Sequence, residues 1–114
     1  MLEPQNFFDV LSDETRRRLL GLILGEGELC VCELAYALDM AQPKVSRHLA
    51  VMREAEVLSM RREGTWVYYR LHSQLPLWAS RIVELMVQGA ESPLAAQDRS
   101  RLATMADRPL KCCA

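Results

Sequence analysis

Apolar and polar positions along the chain change their spacing several times, and each change marks an element. Pro4 suits a first helical turn, and Phe7, Phe8, Val10 and Leu11 follow it as a short apolar group. Ser12 then reads as an N-cap, with Asp13 and Glu14 placed to favour the helix dipole. Leu19, Leu20, Ile23 and Leu24 recur at helical spacing, and Gly25-Glu26-Gly27 stops the run. Arg16, Arg17 and Arg18 fall on the other faces of this helix and are expected to be solvated, with phosphate contact as their alternative use. A third helix is predicted from about Val31 to Leu38, with Val31, Leu34, Ala35 and Leu38 on one side. A short turn over residues 39–42 leads to Pro43, which opens a fourth helix where its missing N–H costs nothing. Val45, Leu49, Met52 and Leu58 point inward from there.

Beyond Val57 the period falls to two. Leu58 to Glu63 and Trp66 to Leu71 read as strands joined around Glu63-Gly64, a β-hairpin in which Tyr68 and Tyr69 face opposite sides. Leu75-Pro76 restarts a helix whose stripe is Trp78, Ile82, Leu85 and Met86. The stripe lies outside the compact motif and is assigned, with the first helix, to a dimer interface; a plain core stripe is the other reading. A break from Gly89 to Pro93 precedes a further helical stretch, Leu94 to Met105, and a tail ending Leu110-Lys111-Cys112-Cys113-Ala114. Two short helices joined by a tight turn, the second opening on polar side chains, make a helix-turn-helix, and a hairpin directly after it makes a wing. The expected class is therefore α+β, mostly helical: a winged helix-turn-helix with a β-hairpin wing and N- and C-terminal dimerisation helices. Residues 1–92 are expected to form the DNA-binding and dimerisation domain, and residues 93–114 a C-terminal extension with the Cys-Cys tail.

Composition sharpens this picture in two places. The chain has 114 residues, half of them apolar, and a net charge of −1, which suits one modest core that gains from dimerisation. Charge is unevenly spread: residues 42–72 carry +3 and the remainder −4. A basic segment on an acidic body suits a partner that is anionic at one face, although a solvated charged surface gives the same count. The N-terminus lacks a positive flank before an apolar core, and no apolar run approaches the roughly 18 residues of a membrane span, so a cytoplasmic location is expected. Thiols stay reduced there, which makes the four cysteines candidates for metal or redox chemistry rather than structural disulfides.

Gln42, Lys44, Ser46, Arg47 and His48 open the fourth helix with side chains suited to base edges and phosphates, and Arg61 and Arg62 near the wing could reach the backbone or a minor groove. Double-stranded DNA with an inverted repeat, read by a homodimer, is the expected partner. Cys30 sits where N-caps usually carry Ser or Thr, and Cys32 is in the first turn, where unpaired N–H groups and the helix dipole favour thiolate. Side chains two apart on a regular helix diverge, whereas sulfurs sharing one ion lie within roughly 4.6 Å if zinc–sulfur bonds are the gauge. Capture of an ion by this pair is expected to unwind or tilt the helix start and disturb the recognition helix beside it. Spacing alone equally allows two small buried hydrophobes.

Glu28-Leu29-Cys30-Val31-Cys32-Glu33-Leu34, then Gln42-Pro43-Lys44-Val45-Ser46-Arg47-His48-Leu49 and Gly64-Thr65-Trp66-Val67-Tyr68-Tyr69-Arg70-Leu71, resemble the ArsR/SmtB family of winged-helix metalloregulatory repressors. The resemblance implies a homodimer that holds an operator shut and lets go when As(III) or Sb(III) binds its thiols, with no organic cofactor. Close relatives place a third cysteine in the same helix, where this chain has Ala35. Cys112 or Cys113 could then supply the missing sulfur; alternatively two thiolates suffice, with methylated arsenite as inducer, and the tail cysteines form a site of their own or are inert. Residues 1–29 lack the arm cysteines of cadmium- and lead-sensing relatives, and the segment from Leu77 to Gln88 has Glu84 but no histidine, unlike zinc sensors. A thiol-redox sensor remains the rival within regulation. A small thiol enzyme or arsenic carrier is disfavoured, because no Cys-x-x-Cys lies on a βαβ pattern and no base is paired with a nucleophile.

Overall fold

Caps and turns set the element boundaries. The computed structural model describes residues 2–89 and 92–109. Helix α1 (Pro4–Leu11) starts with Pro4 in its first turn and the Glu3 carboxylate accepting the Gln5 N–H at 3.1 Å. Helix α2 (Glu14–Glu26) is capped by Asp13 rather than by the expected Ser12: Asp13 Oδ2 accepts the Arg16 N–H at 3.0 Å. The Ser12 hydroxyl instead donates to the Asp9 carbonyl at 2.6 Å, closing the end of α1. Two adjacent side chains could cap α2, and the charged one gains more from the helix dipole. Gly27, at φ 87°, ends α2 in a conformation that other residues rarely adopt.

Arg16, Arg17 and Arg18 do not form the solvated face expected of them. Arg16 donates to the carbonyls of Val10 and Asp9, each at 3.0 Å, and Arg17 to that of Leu11 at 2.8 Å. These last carbonyls of α1 have no partners within their helix, so α2 caps α1 with cations. Arg18 grips Asp98 through two bonds of 2.9 and 2.7 Å, and Asp98 is buried. Their partners are carbonyls of the preceding helix and a carboxylate 80 residues away, neither of which shows in hydrophobic periodicity.

A short strand, β1 (Leu29–Cys30), leads straight into α3 (Val31–Leu38). Asp39 turns the chain with φ 54°, and α4 (Gln42–Glu54) carries Pro43 in its first turn. The hairpin consists of β2 (Leu58–Glu63) and β3 (Trp66–Leu71), in register from Leu58 with Leu71 to Glu63 with Trp66. The expected two-stranded ribbon is in fact the outer part of a three-stranded antiparallel sheet ordered β1-β3-β2. Strand β1 pairs Leu29 with Tyr69 and Cys30 with Tyr68. Both tyrosines are buried even though they face opposite ways.

Helix α2 runs through the middle of the core. Its Leu19, Leu20 and Ile23 pack with Phe7 and Val10 from α1, Leu34 and Leu38 from α3, Val45, Leu49 and Met52 from α4, and Leu58. Helix α5 (Leu77–Gly89) turns Ala79 and Val83 inward. Helix α6 (Pro93–Ala103) is capped by Ser92 and packs on α2 and α3. No helix of the described residues is long and apolar enough to cross a membrane.

Candidate thiol site and nucleic-acid interface

The thiol site begins where sheet becomes helix. Cys30 is the last residue of β1 and the N-cap of α3, with extended backbone at φ −87° and ψ 166°. It occupies the Ser/Thr position of a capping box. The Glu33 N–H faces the Cys30 sulfur, and Glu33 Oε1 accepts the Cys30 N–H at 3.0 Å. The other oxygen of this carboxylate, Oε2, accepts from Arg108 Nε at 2.6 Å, and Arg108 Nη2 donates to Glu26 at 2.9 Å. Glu33 is itself buried. Sequence reasoning did not single out Glu33, Glu26 or Arg108. The Cys-x-x-Glu spacing was a visible signal for the first of them; the arginine, 75 residues from Glu33, gave none.

Burial outweighs the helix dipole at Cys30. Its side chain is shut in beside Tyr68, and this pushes the thiol up to about 11; the Glu33 N–H pulls the other way, and the Glu33 charge adds to the rise. The expectation of a thiolate at this position is therefore corrected: before any ligand arrives, Cys30 is a neutral thiol. Cys32, in the first turn of α3, is half-buried. It opens on a groove bordered by Tyr36, Met40, Arg101 and Met105. The Cys32 sulfur accepts a hydrogen bond from Gln42 Nε2 at 3.2 Å. Among the described residues, no group of three or more His, Cys, Asp or Glu side chains is gathered to hold a metal ion. Cys112 and Cys113 lie outside the described residues.

Helix α4 buries Val45, Leu49 and Met52 and leaves Gln42, Lys44, Ser46 and Arg47 exposed. Lys44, Arg47 and the wing residue Arg62 are exposed, and none is in an ion pair with the described residues. Two of the expected DNA contacts are placed differently. His48 is half-buried against α2, with Nδ1 3.3 Å from Arg16 Nη1 and 3.9 Å from Asp13 Oδ2. Arg61 is held by Glu28 at 2.7–3.0 Å and by Glu63 at 3.2 Å, and its guanidinium lies over the Tyr68 ring, 4.6 Å from the centroid. Two carboxylates cancel its charge, so it braces the wing root rather than offering a free cation.

The thiol helix and the wing are thus joined at one point. Arg61 and Cys30 are both in register with Tyr68, and Glu28, which grips Arg61, precedes Cys30 by two residues. Gln42, the first residue of α4, touches the second thiol. On the far side, α1 and α5 present an apolar face. Phe7 and Trp78 meet edge to face at 5.3 Å, while Phe8, Trp78, Leu77 and Leu85 are 50, 42, 74 and 65% exposed.

Comparison with known proteins agrees with this arrangement. Residues 13–59 match the family model described as "Bacterial regulatory protein, arsR family". The chain is 50% identical to the arsenic resistance transcriptional regulator ArsR1 of Pseudomonas putida, over 96% of this chain and 84% of that one. It is 49% identical to the arsenical resistance operon repressor of Escherichia coli, over 73% of this chain and 71% of that one. Among solved structures, the AntR antimony-specific transcriptional repressor superposes with a TM-score of 0.62 at 33% identity, covering 72% of this chain and 71% of that one. These relatives are regulators of transcription rather than enzymes. The chain belongs to the ArsR family of bacterial regulatory proteins, and its fold is that family's winged helix.

Proposed function

We propose that the chain forms a homodimer that represses an arsenic resistance operon and leaves its operator when As(III) or Sb(III) binds the Cys30 and Cys32 thiols. Cys112 or Cys113 supplies a third sulfur. The names of its relatives, arsenic resistance regulators and an antimony-specific repressor, support the inducer class. The observation that carries the mechanism is the 3.2 Å hydrogen bond from Gln42, at the tip of the DNA-reading helix, to the Cys32 sulfur. Cys30 is shut in at the β1–β3 register while Cys32 faces α4. Bringing both sulfurs to one atom requires Cys32 to leave Gln42 or Cys30 to leave the sheet. Either movement disturbs the first turn of α3 and the residue from which α4 starts.

The chemistry suits an uncharged inducer. Arsenous acid condenses with a thiol: an As–S bond forms, an As–OH bond breaks, and the thiol proton leaves with the hydroxide as water. The step needs no net loss of charge, so a neutral Cys30 does not oppose it. In the empty state Gln42, Lys44, Ser46 and Arg47 enter the major groove, and Arg62 meets the backbone beside the wing. Such a repressor works in the cytoplasm, where DNA and reduced thiols coexist. Titrating a fluorescently labelled operator complex with arsenite tests the reading: anisotropy falls as the thiols fill. An operator complex unmoved by saturating arsenite would refute it.

The partner subunit covers the α1–α5 face. Phe8 is half exposed and Leu85 mostly exposed, so changing both to glutamate leaves each subunit folded but sets four carboxylates in the interface of a dimer. Sedimentation equilibrium should then find monomers, with operator affinity falling to that of a single half-site. A dimer of unchanged affinity would place the interface elsewhere.

A further inference from the structure

We propose that the groove beside Cys32 receives the organic substituent of a trivalent arsenical, so that the sensor takes monoaryl arsenicals as well as inorganic arsenite and prefers an aryl substituent to a methyl one. The inference rests on the reading of Cys30 and Cys32 as the inducer's ligands and extends it to a further class of ligand. Cys32 is the member of the pair with an open side: it is half-buried, whereas Cys30 is 1% exposed. The groove next to it is walled by Ala35 and Tyr36 of α3, by Met40 in the turn that follows, and by Arg101 and Met105 from the α6 side. Its volume is about 590 Å³. An apolar cavity of roughly 150 Å³ has room for benzene, so an aromatic substituent fits.

The lining suits a ring better than a methyl group. Tyr36 is 42% exposed, and its Oη lies 3.2 Å from Thr104 Oγ1, which holds the phenol at the groove wall. Aromatic rings pack edge to face or offset, and thioethers make favourable contacts with ring edges, so Tyr36, Met40 and Met105 offer a ring more than dispersion alone. Arg101 Nε is shut off from water and has no hydrogen-bond partner among the described residues. The face of a ring is a partner that a guanidinium accepts. Asp39, on the same rim, lies 3.8 Å from Arg101 and offsets its charge, which favours an uncharged substituent.

The chemistry closes on two protein sulfurs. A monoaryl arsonous acid carries two hydroxyls and one carbon on arsenic. Two As–S bonds form, two As–OH bonds break, and each thiol proton leaves with a hydroxide as water. The As–C bond is kept and arsenic stays trivalent, so carbon fills the position that a third sulfur takes for arsenite. Ala41 and Gln42 border the same groove where α4 begins. A ring lodged there presses on the residues that launch the DNA-reading helix.

The test measures operator release from the full-length dimer by arsenite, methylarsonous acid and phenylarsonous acid. Each half-releasing concentration is divided by that compound's dissociation constant for dithiothreitol, a dithiol without a groove. On this scale the parent should respond to the phenyl compound at about a tenth of the methyl value, as burial of the added ring carbons implies. Tyr36→Ala should cut the preference to about threefold or less and leave the responses to arsenite and methylarsonous acid as in the parent. Met105→Ala, which lowers the wall from the α6 side, should cut it independently. Tyr36→Phe keeps the ring but drops the bond to Thr104, and should retain the preference. Equal responses of the parent to phenyl and methyl compounds would overturn the proposal, as would a preference that survives both alanine variants. A preference lost equally in Tyr36→Phe would trace it to the α3–α6 hydrogen bond rather than to the groove wall, and would overturn it too. A parent that none of the three compounds releases, or release that persists with serine at both Cys30 and Cys32, would instead defeat the Cys30–Cys32 reading.

Discussion

With serine at both Cys30 and Cys32, the protein should bind its operator as the parent does and ignore arsenite. Serine is the conservative replacement at both places. At position 30 a hydroxyl is a preferred helix N-cap and accepts from the Glu33 N–H in the same box. At position 32 it still offers Gln42 an acceptor. Fold and DNA affinity therefore stay near the parent's, while the sulfurs proposed to bond arsenic are gone. Coupling between two ligands of one protein is typically about 1–3 kcal/mol, or roughly 5–150-fold in affinity. Arsenite should weaken the parent's operator complex by a factor in that range and the variant's by less than about twofold. The coupling is reciprocal, so operator DNA should weaken arsenite binding to the parent by the same factor. Operator titrations by anisotropy, with and without arsenite, measure both. Full release of the variant by arsenite would move the sensor to other residues.

The second large effect is expected on the DNA side. Lys44→Ala with Arg47→Ala removes two exposed cations from the first turns of α4, and neither touches the core. An arginine reading a guanine edge contributes about 1–3 kcal/mol of discrimination, and each phosphate contact contributes about 0.9 to the slope of log affinity against log salt. The double variant should lose on the order of a hundredfold in operator affinity and show a shallower salt dependence. Arg61→Ala should behave differently. Its guanidinium is held by Glu28 and Glu63 over Tyr68, so its loss should loosen the wing root and leave the salt slope close to the parent's. Filter binding across a salt series separates the two outcomes. Equal slopes for parent and double variant would remove α4 from the phosphate backbone.

Elements with a long, regular period were legible in the sequence. The bounds of β2 and β3 and of α3 follow directly from where apolar spacing changes between 3.6 and 2. Strand β1 was not legible because two residues carry no period; its pairing with β3 shows only in three dimensions. The arginines of α2 were misjudged for a related reason. Periodicity records which face avoids water, but not which carbonyl or distant carboxylate waits on the polar face. The position of the thiols could be read, and their state could not. A helix N-terminus favours thiolate, yet the sheet seals Cys30 and reverses the balance. The bond between Gln42 and Cys32 needed the angle between α3 and α4, which no spacing encodes. The Arg108 clamp joins residues 75 positions apart and was equally hidden.

Amide hydrogen exchange on the empty and the arsenite-loaded dimer tests the central claim most directly. The account predicts that loading strips protection, by about tenfold or more, from the opening turn of α3 and from Lys44 and Val45, whose amides bond the Ala41 carbonyl, while β2 and β3 keep theirs. A loaded dimer that has dropped its operator with both helix starts as protected as before would contradict it.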